Sequence, residues 1–212
     1  MNPTAAREEC LALMRALEIR PVHVEHVARL ALQLFDQLGG VHQLGPRERS
    51  ILEAAAWLHD IGHRSPAKEE GHHKESARMI REHPWRHLHP ETVEVVAQVA
   101  RYHRKSVPDL AHKDFLILDE GGREVVRRLA ALLRLADALD RNHAQIIQGV
   151  VVEVEPARLV LHLKIGGPML RAMTGPILRE VMAARLKGDL AMTVFGRRLA
   201  FMVDGDELMK ES

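Results

Sequence analysis

The most apolar helical stretch of the chain, Leu52-Glu53-Ala54-Ala55-Ala56-Trp57-Leu58, runs directly into His59 and Asp60, with Gly62 just beyond. An imidazole and a carboxylate taken out of water cost several kcal/mol unless each is compensated, and a divalent cation compensates both. Asp137 poses the same problem later, because it shares an apolar helical stripe with Leu133 and Ala136. His26 stands one turn before Leu30, at the edge of another inward face. Side chains on separate packed helices converge readily on a bundle core. Two imidazoles and two carboxylates suit Mn, Fe, Co, Ni or Zn, with Mg less well served. On spacing alone, buried and hydrogen-bonded residues are the competing explanation.

Helices must position these groups. Apolar residues recur at helical spacing from Thr4 to about Arg141, which predicts helices over 4–17, 22–38, from about 47 to 62, over 70–82 and over 90–104. In the second, Val24, Val27, Leu30, Ala31, Leu34, Phe35 and Leu38 form the apolar side, and Gly39-Gly40 stops it. A long connection, 106–123, precedes a sixth helix over 124–142. The pattern then changes. Val150–Val154 and Leu159–Ile165, separated by Glu155-Pro156-Ala157-Arg158, read as a β-hairpin, followed by a helix over 176–186 and a second strand pair around Phe195–Arg198. The expected organisation is a helical part, 1–145, and a small α+β unit, 146–212.

Composition narrows the class. Lys and Arg number 30 against 29 Asp and Glu, so net charge implies neither general nucleic-acid binding nor an anionic membrane, and any anion site must be local. A single cysteine, Cys10, excludes an internal disulfide framework and a Cys-rich metal site. The opening residues are broken by charges and no apolar run is long enough to span a membrane, so the expectation is a cytoplasmic protein. Histidine is abundant, at 14 residues. His83, His87, His89, His112 and His143 lack a helix-face argument and are expected at the surface.

His26-Val27-Ala28-Arg29-Leu30, Leu58-His59-Asp60-Ile61-Gly62 and Leu135-Ala136-Asp137-Ala138-Leu139-Asp140 resemble, in order and type, the signature segments of the HD superfamily of metal-dependent phosphohydrolases. Within it the chain looks most like the HD-like C-terminal region of the exopolyphosphatase/guanosine pentaphosphatase (Ppx/GppA) family. Ala31–Leu38, His72–Ala77, Val99–Lys105 and Leu129–Arg141 carry that likeness. The resemblance implies a mainly α fold, an HD-domain helical bundle followed by a small C-terminal α+β unit with β-hairpins. It also implies His26, His59, Asp60 and Asp137 as ligands of a first divalent metal, with Asp60 able to bridge to a second. HD proteins with two metals add a histidine at the start of the fourth helix and one at the end of the fifth. His72 or His73, and His103, match those places, and the two registers for the His72-His73 pair stay open.

Departures limit the transfer. Cyclic-dinucleotide phosphodiesterases of the superfamily have Lys after His-Asp-Ile-Gly and a second His beside the fifth-helix one, where this chain has His63 and Arg104. Hydrolases of guanosine tetraphosphate place an acidic pair just beyond His-Asp, where this chain has Ile61-Gly62-His63-Arg64. In the Ppx/GppA family the chemistry belongs to a preceding actin-like domain, whose strands and Gly-rich loops are missing. The expectation is an HD-like module standing alone.

The leading expectation is hydrolysis of a phosphate ester, of a nucleotide above all, by water activated at the metal, with Asp60 central and His63 protonating the leaving oxygen. Arg29, Arg64, Lys68, Arg104, Lys105 and Arg141 are the candidates for holding phosphate. A non-catalytic module that binds a phosphorylated ligand or a partner protein is the rival. A homodimer through the tail hairpins is a third reading.

Overall fold

A computed structural model describes residues 3–66, 71–167, 174–203 and 206–208. The helical part comprises α1 (Pro3–Leu17), α2 (Pro21–Gln37), α3 (Gly39–His42), α4 (Pro46–Leu58), a 3-10 turn (Ile61–Arg64), α5 (His72–Glu82), α6 (Pro90–Arg101), α7 (Lys113–Leu116) and α8 (Glu120–Ala138). The α+β part comprises β1 (Ile147–Val154), β2 (Arg158–Ile165), α9 (Thr174–Lys187), α10 (Asp189–Phe195), β3 (Arg198–Val203) and β4 (Asp206–Leu208). Among the described residues no helix is long and apolar enough to cross a membrane.

Proline opens α2, α4 and α6, where its missing N–H is not needed and its fixed φ suits a first turn. Glu48 reaches back to the Gly45 N–H at 2.9 Å and completes the start of α4. The core lies where α2, α4, α6 and α8 meet, filled by Leu30, Leu34, Leu52, Leu58, Val96, Leu129 and Leu133, all fully buried. The same continuous cluster extends through Ile147, Leu161 and Phe201 of the sheet.

The strands form one sheet in the order β1-β2-β3-β4. The β1–β2 hairpin is antiparallel with Val150 opposite Leu163; β3 joins β2 in parallel with Phe201 opposite Leu161; β4 returns antiparallel to β3. A strand pair expected around Phe195–Arg198 thus falls later. Gly196, at φ +62°, caps the end of α10 instead of turning a hairpin, and β3 begins two residues on. The sixth expected helix begins earlier than predicted. Asp119 accepts the Gly122 N–H at 2.7 Å, so Gly121 and Gly122 occupy the first turn of α8.

One face of α2 runs along the outer edge of β1. His26 Nε2 meets the Ile147 carbonyl at 2.9 Å, Arg29 donates to the Gln148 carbonyl, Gln33 accepts the Val150 N–H at 3.0 Å and Gln37 the Val152 N–H at 2.9 Å. Positions 26, 29, 33 and 37 recur every three or four residues, the spacing that aligns side chains on one helical face. The carbonyls of Ile147, Gln148 and Val150 and the N–H groups of Val150 and Val152 on this edge therefore already have partners.

Candidate metal centre

The α4 helix ends at Leu58, which places His59 and Asp60 in the turn before the 3-10 segment, both buried. His59 Nδ1 donates to the Ala56 carbonyl at 2.7 Å, which fixes the ring and leaves Nε2 facing Asp60 Oδ1 at 3.7 Å and Asp137 Oδ1 at 3.8 Å. From α2, His23 approaches the same place. Its Nδ1 is 2.8 Å from Asp140 Oδ2, and its Nε2 lies 3.5 Å from Asp137 Oδ1 and 4.0 Å from Asp60 Oδ2. Just past α6, His103 ties Nδ1 to the Ala100 carbonyl at 2.7 Å and turns Nε2 toward Asp60 Oδ1 at 3.7 Å. His72, the first residue of α5, brings Nε2 to 3.2 Å from the same oxygen. The ligand-capable atoms of His23, His59 and Asp60 lie within 4.8 Å of one another, and so do those of Asp60, His72 and His103. Asp60 belongs to both groups.

Glycine makes the second group accessible to the first. A Cβ on Gly62 would sit 2.2 Å from the His72 carbonyl and 2.5 Å from the Ser76 nitrogen, so only glycine lets the 3-10 turn press against the start of α5. The Gly62 N–H donates to Ser76 Oγ at 2.9 Å and closes that approach. Gly71, at φ +110°, takes a backbone conformation that side chains resist, one residue before His72.

The electrostatics are compensated within the protein. Burial works against ionising Asp60, but His59, His72 and His103 outweigh it and hold the carboxyl well below its ordinary range. Burial is likewise outweighed at Asp137, by Lys187, His23 and His59. Burial also opposes a charge on His23, yet Asp137, Asp140 and Asp60 push its pKa up to about 9. His103 is driven the other way, by burial and by His59. Arg20 pairs with Asp60 Oδ2 at 3.2 Å, and the Lys187 ammonium contacts Asp137 Oδ2.

Most residues expected from sequence meet here, and some do not. His59, Asp60, Asp137, His72 and His103 converge. His26 does not: its Nε2 faces the Ile147 carbonyl, its Nδ1 meets Arg29 at 2.9 Å, and both ring nitrogens are thereby committed to the β1 edge. His23, from the same helix, stands in the cluster instead. Arg29, on the same edge, is correspondingly away from the cluster. Of the two adjacent histidines, His72 reaches Asp60. His73 is buried with its Nδ1 lacking a hydrogen bond, its ring 6.4 Å from that of His103, and burial holds its pKa down to about 4.

His63 lies 3.7 Å from Asp60 Oδ2 and stacks on His72 at 3.6 Å, and burial lowers its pKa to about 4. Arg104 reaches His72 Nε2 at 3.1 Å. Arg64, Lys105 and Arg141 are exposed, and Lys68 lies outside the described residues. His143, expected at the surface, stacks on His23 with ring centroids 4.0 Å apart. Sequence reasoning passed over His23, Asp140, Arg20 and Lys187. For His23 a signal existed: it lies four, seven and eleven residues before Val27, Leu30 and Leu34, on the fully buried stripe of α2.

The donor set fits a borderline divalent cation. His23 Nε2 and His59 Nε2 are buried without a hydrogen-bond partner, while the opposite nitrogen of each ring is held by a fixed acceptor. Metal-binding histidines have this same arrangement, with one nitrogen oriented by an acceptor and the other free for the ion.

No curated protein matches the chain. A family model described as Ppx/GppA phosphatase, domain III, matches residues 7–172, a span that runs from within α1 through the β1–β2 hairpin and takes in all of the clustered histidines and aspartates. The chain belongs to the Ppx/GppA phosphatase domain III family.

Proposed function

We propose that the chain carries an HD-type divalent-metal centre with two positions sharing Asp60, and that it hydrolyses a phosphate ester, a nucleotide in the first instance. His23, His59, Asp60 and Asp137 would hold one ion, and Asp60, His72 and His103 the other. The observation that carries this reading is the pair of buried, unpartnered Nε2 atoms on His23 and His59, each ring fixed through Nδ1 and aimed at carboxylates. When bound, a divalent ion supplies Lewis acidity toward water and the phosphoryl oxygens.

The chain's own residues do the rest. Asp140 and the Ala56 and Ala100 carbonyls orient the three imidazoles. His63, 3.7 Å from Asp60 Oδ2 and stacked on His72, would stand beside the leaving oxygen to protonate it. Arg104 and Arg20 stand beside His72 and Asp60 as partners for phosphoryl oxygens.

A second reading, a metal-containing module that binds a phosphorylated ligand without turnover, draws support from the family match, which is to the third domain of a phosphatase. Turnover separates the two. Purified protein with Mn²⁺ or Co²⁺ is expected to release phosphate from at least one member of a nucleotide panel. Asp60→Asn should abolish release while circular dichroism stays unchanged. A panel silent with every metal, in a protein that still binds Mn²⁺, favours the binding module.

A further inference from the structure

Lys187 ends α9 in the C-terminal unit, yet its ammonium lies against Asp137 Oδ2. The other oxygen, Oδ1, is the one that faces His23 Nε2 at 3.5 Å and His59 Nε2 at 3.8 Å. The carboxylate is therefore divided: one oxygen turned to the histidines, one to the lysine. The base of Lys187 is pinned by Arg134, which is buried on α8. Arg134 Nε reaches the Lys187 carbonyl at 3.4 Å, while Nη1 donates to the Tyr102 and Lys105 carbonyls at 3.2 and 3.3 Å. One guanidinium thus ties the backbone of Lys187 to the segment that carries His103. The lysine side chain itself keeps 18% of its surface exposed, so its head can pivot on a fixed base.

Charge decides where the head goes. Without an ion, two carboxylates of the cluster already have a permanent cation, Asp60 with Arg20 and Asp137 with Lys187, and Asp140 is hydrogen-bonded to His23. A divalent ion held by His23, His59, Asp60 and Asp137 would draw on the same carboxylate charge, weaken its attraction for the ammonium and leave the site net positive. An ammonium on a flexible stem then pairs with an incoming anion as a mobile point charge. We infer that Lys187 is a phosphate-binding residue of this centre, contributed by the C-terminal unit and held on Asp137 Oδ2 until an anion arrives. The inference rests on the metal reading above.

Calorimetry on the full chain tests it in two steps, Mn²⁺ first and then inorganic phosphate into the Mn²⁺-loaded protein. Lys187→Met should bind Mn²⁺ at least as tightly as the unaltered chain, because a competing cation is gone. Its phosphate affinity should fall about tenfold or more, and Lys187→Arg should restore most of the loss. Lys187→Gln serves as a second neutral variant, with circular dichroism checking the fold of each. Unchanged phosphate affinity in the neutral variants overturns the inference alone. So does a parallel loss of Mn²⁺ affinity, which would make the lysine a positioning residue for Asp137. An unaltered chain that takes up no Mn²⁺ overturns the metal reading and the role of Lys187 together.

Discussion

On one flank of Asp60, His23 and His59 face a further carboxylate, Asp137, and a third, Asp140, orients His23. On the other flank His72 and His103 face Asp60 alone, with the Arg104 guanidinium 3.1 Å from His72 Nε2. The first flank is built from the ends of α2, α4 and α8, at the heart of the helical core; the second depends on α5, held against the 3-10 turn by the Gly62–Ser76 contact. More negative charge and more fixed rings should make the first position the tighter one. An adjacent guanidinium and a single shared carboxylate should make the second weaker and dependent on the first.

The largest expected effect splits the two flanks. His23→Gln should weaken the tight Mn²⁺ site more than about 100-fold, whereas His103→Gln should leave that site and remove only the weaker one. Titration calorimetry reads both as a change in stoichiometry and affinity. Equal losses from the two variants would dissolve the distinction.

Asp140→Asn comes next. It keeps the ring of His23 within reach of a hydrogen bond but removes the charge behind it, and should cost about 10–100-fold at the tight site with the weak site unchanged. A competition assay with a chromogenic chelator measures this directly.

Proton competition should also favour one flank. With its pKa up at about 9, His23 is protonated at neutral pH in the metal-free chain, so the ion must displace a proton. Because the pKa of His59 is raised as well, affinity at the tight site should rise at least about tenfold per pH unit up to about pH 9 and then level off. The stability of the metal-free fold runs the other way: the contribution of charged His23 is complete below about pH 6.5 and is lost as pH rises through about 9. Thermal melts with and without Mn²⁺ across this range should therefore diverge as pH increases.

The smallest effect tests the neighbour that stays outside. His26→Gln should leave both Mn²⁺ affinities unaltered and cost about 1–2 kcal/mol of stability, from its hydrogen bonds to the Ile147 carbonyl and to Arg29. A loss of metal would return His26 to the ligand set.

His23 and His26 also measure how far the sequence could be read. Helical periodicity located α2 and its apolar side, and His59, Asp60 and Asp137 were legible because a buried charge on an apolar helix needs a partner. The choice between two histidines one turn apart required knowing which face of α2 meets α4 and α8 and which meets β1. Position 23 follows the stripe of Val27, Leu30 and Leu34, and position 26 follows that of Gln33 and Gln37. Only the sheet, formed more than 100 residues later, reveals what the second stripe is for. Lys187 was beyond reach for a related reason: it arrives from the far end of α9, and nothing local to it marks a buried partner. The strand pair misplaced at Phe195–Arg198 failed at Gly196, a residue that serves a helix cap as well as a hairpin turn.

Anomalous diffraction from crystals grown with Mn²⁺ tests the centre most directly. The predicted map has a strong peak among His23 Nε2, His59 Nε2, Asp60 and Asp137 Oδ1, and a weaker one among Asp60, His72 and His103. No peak beside Asp60, or a peak coordinated by His26 in place of His23, would contradict the account.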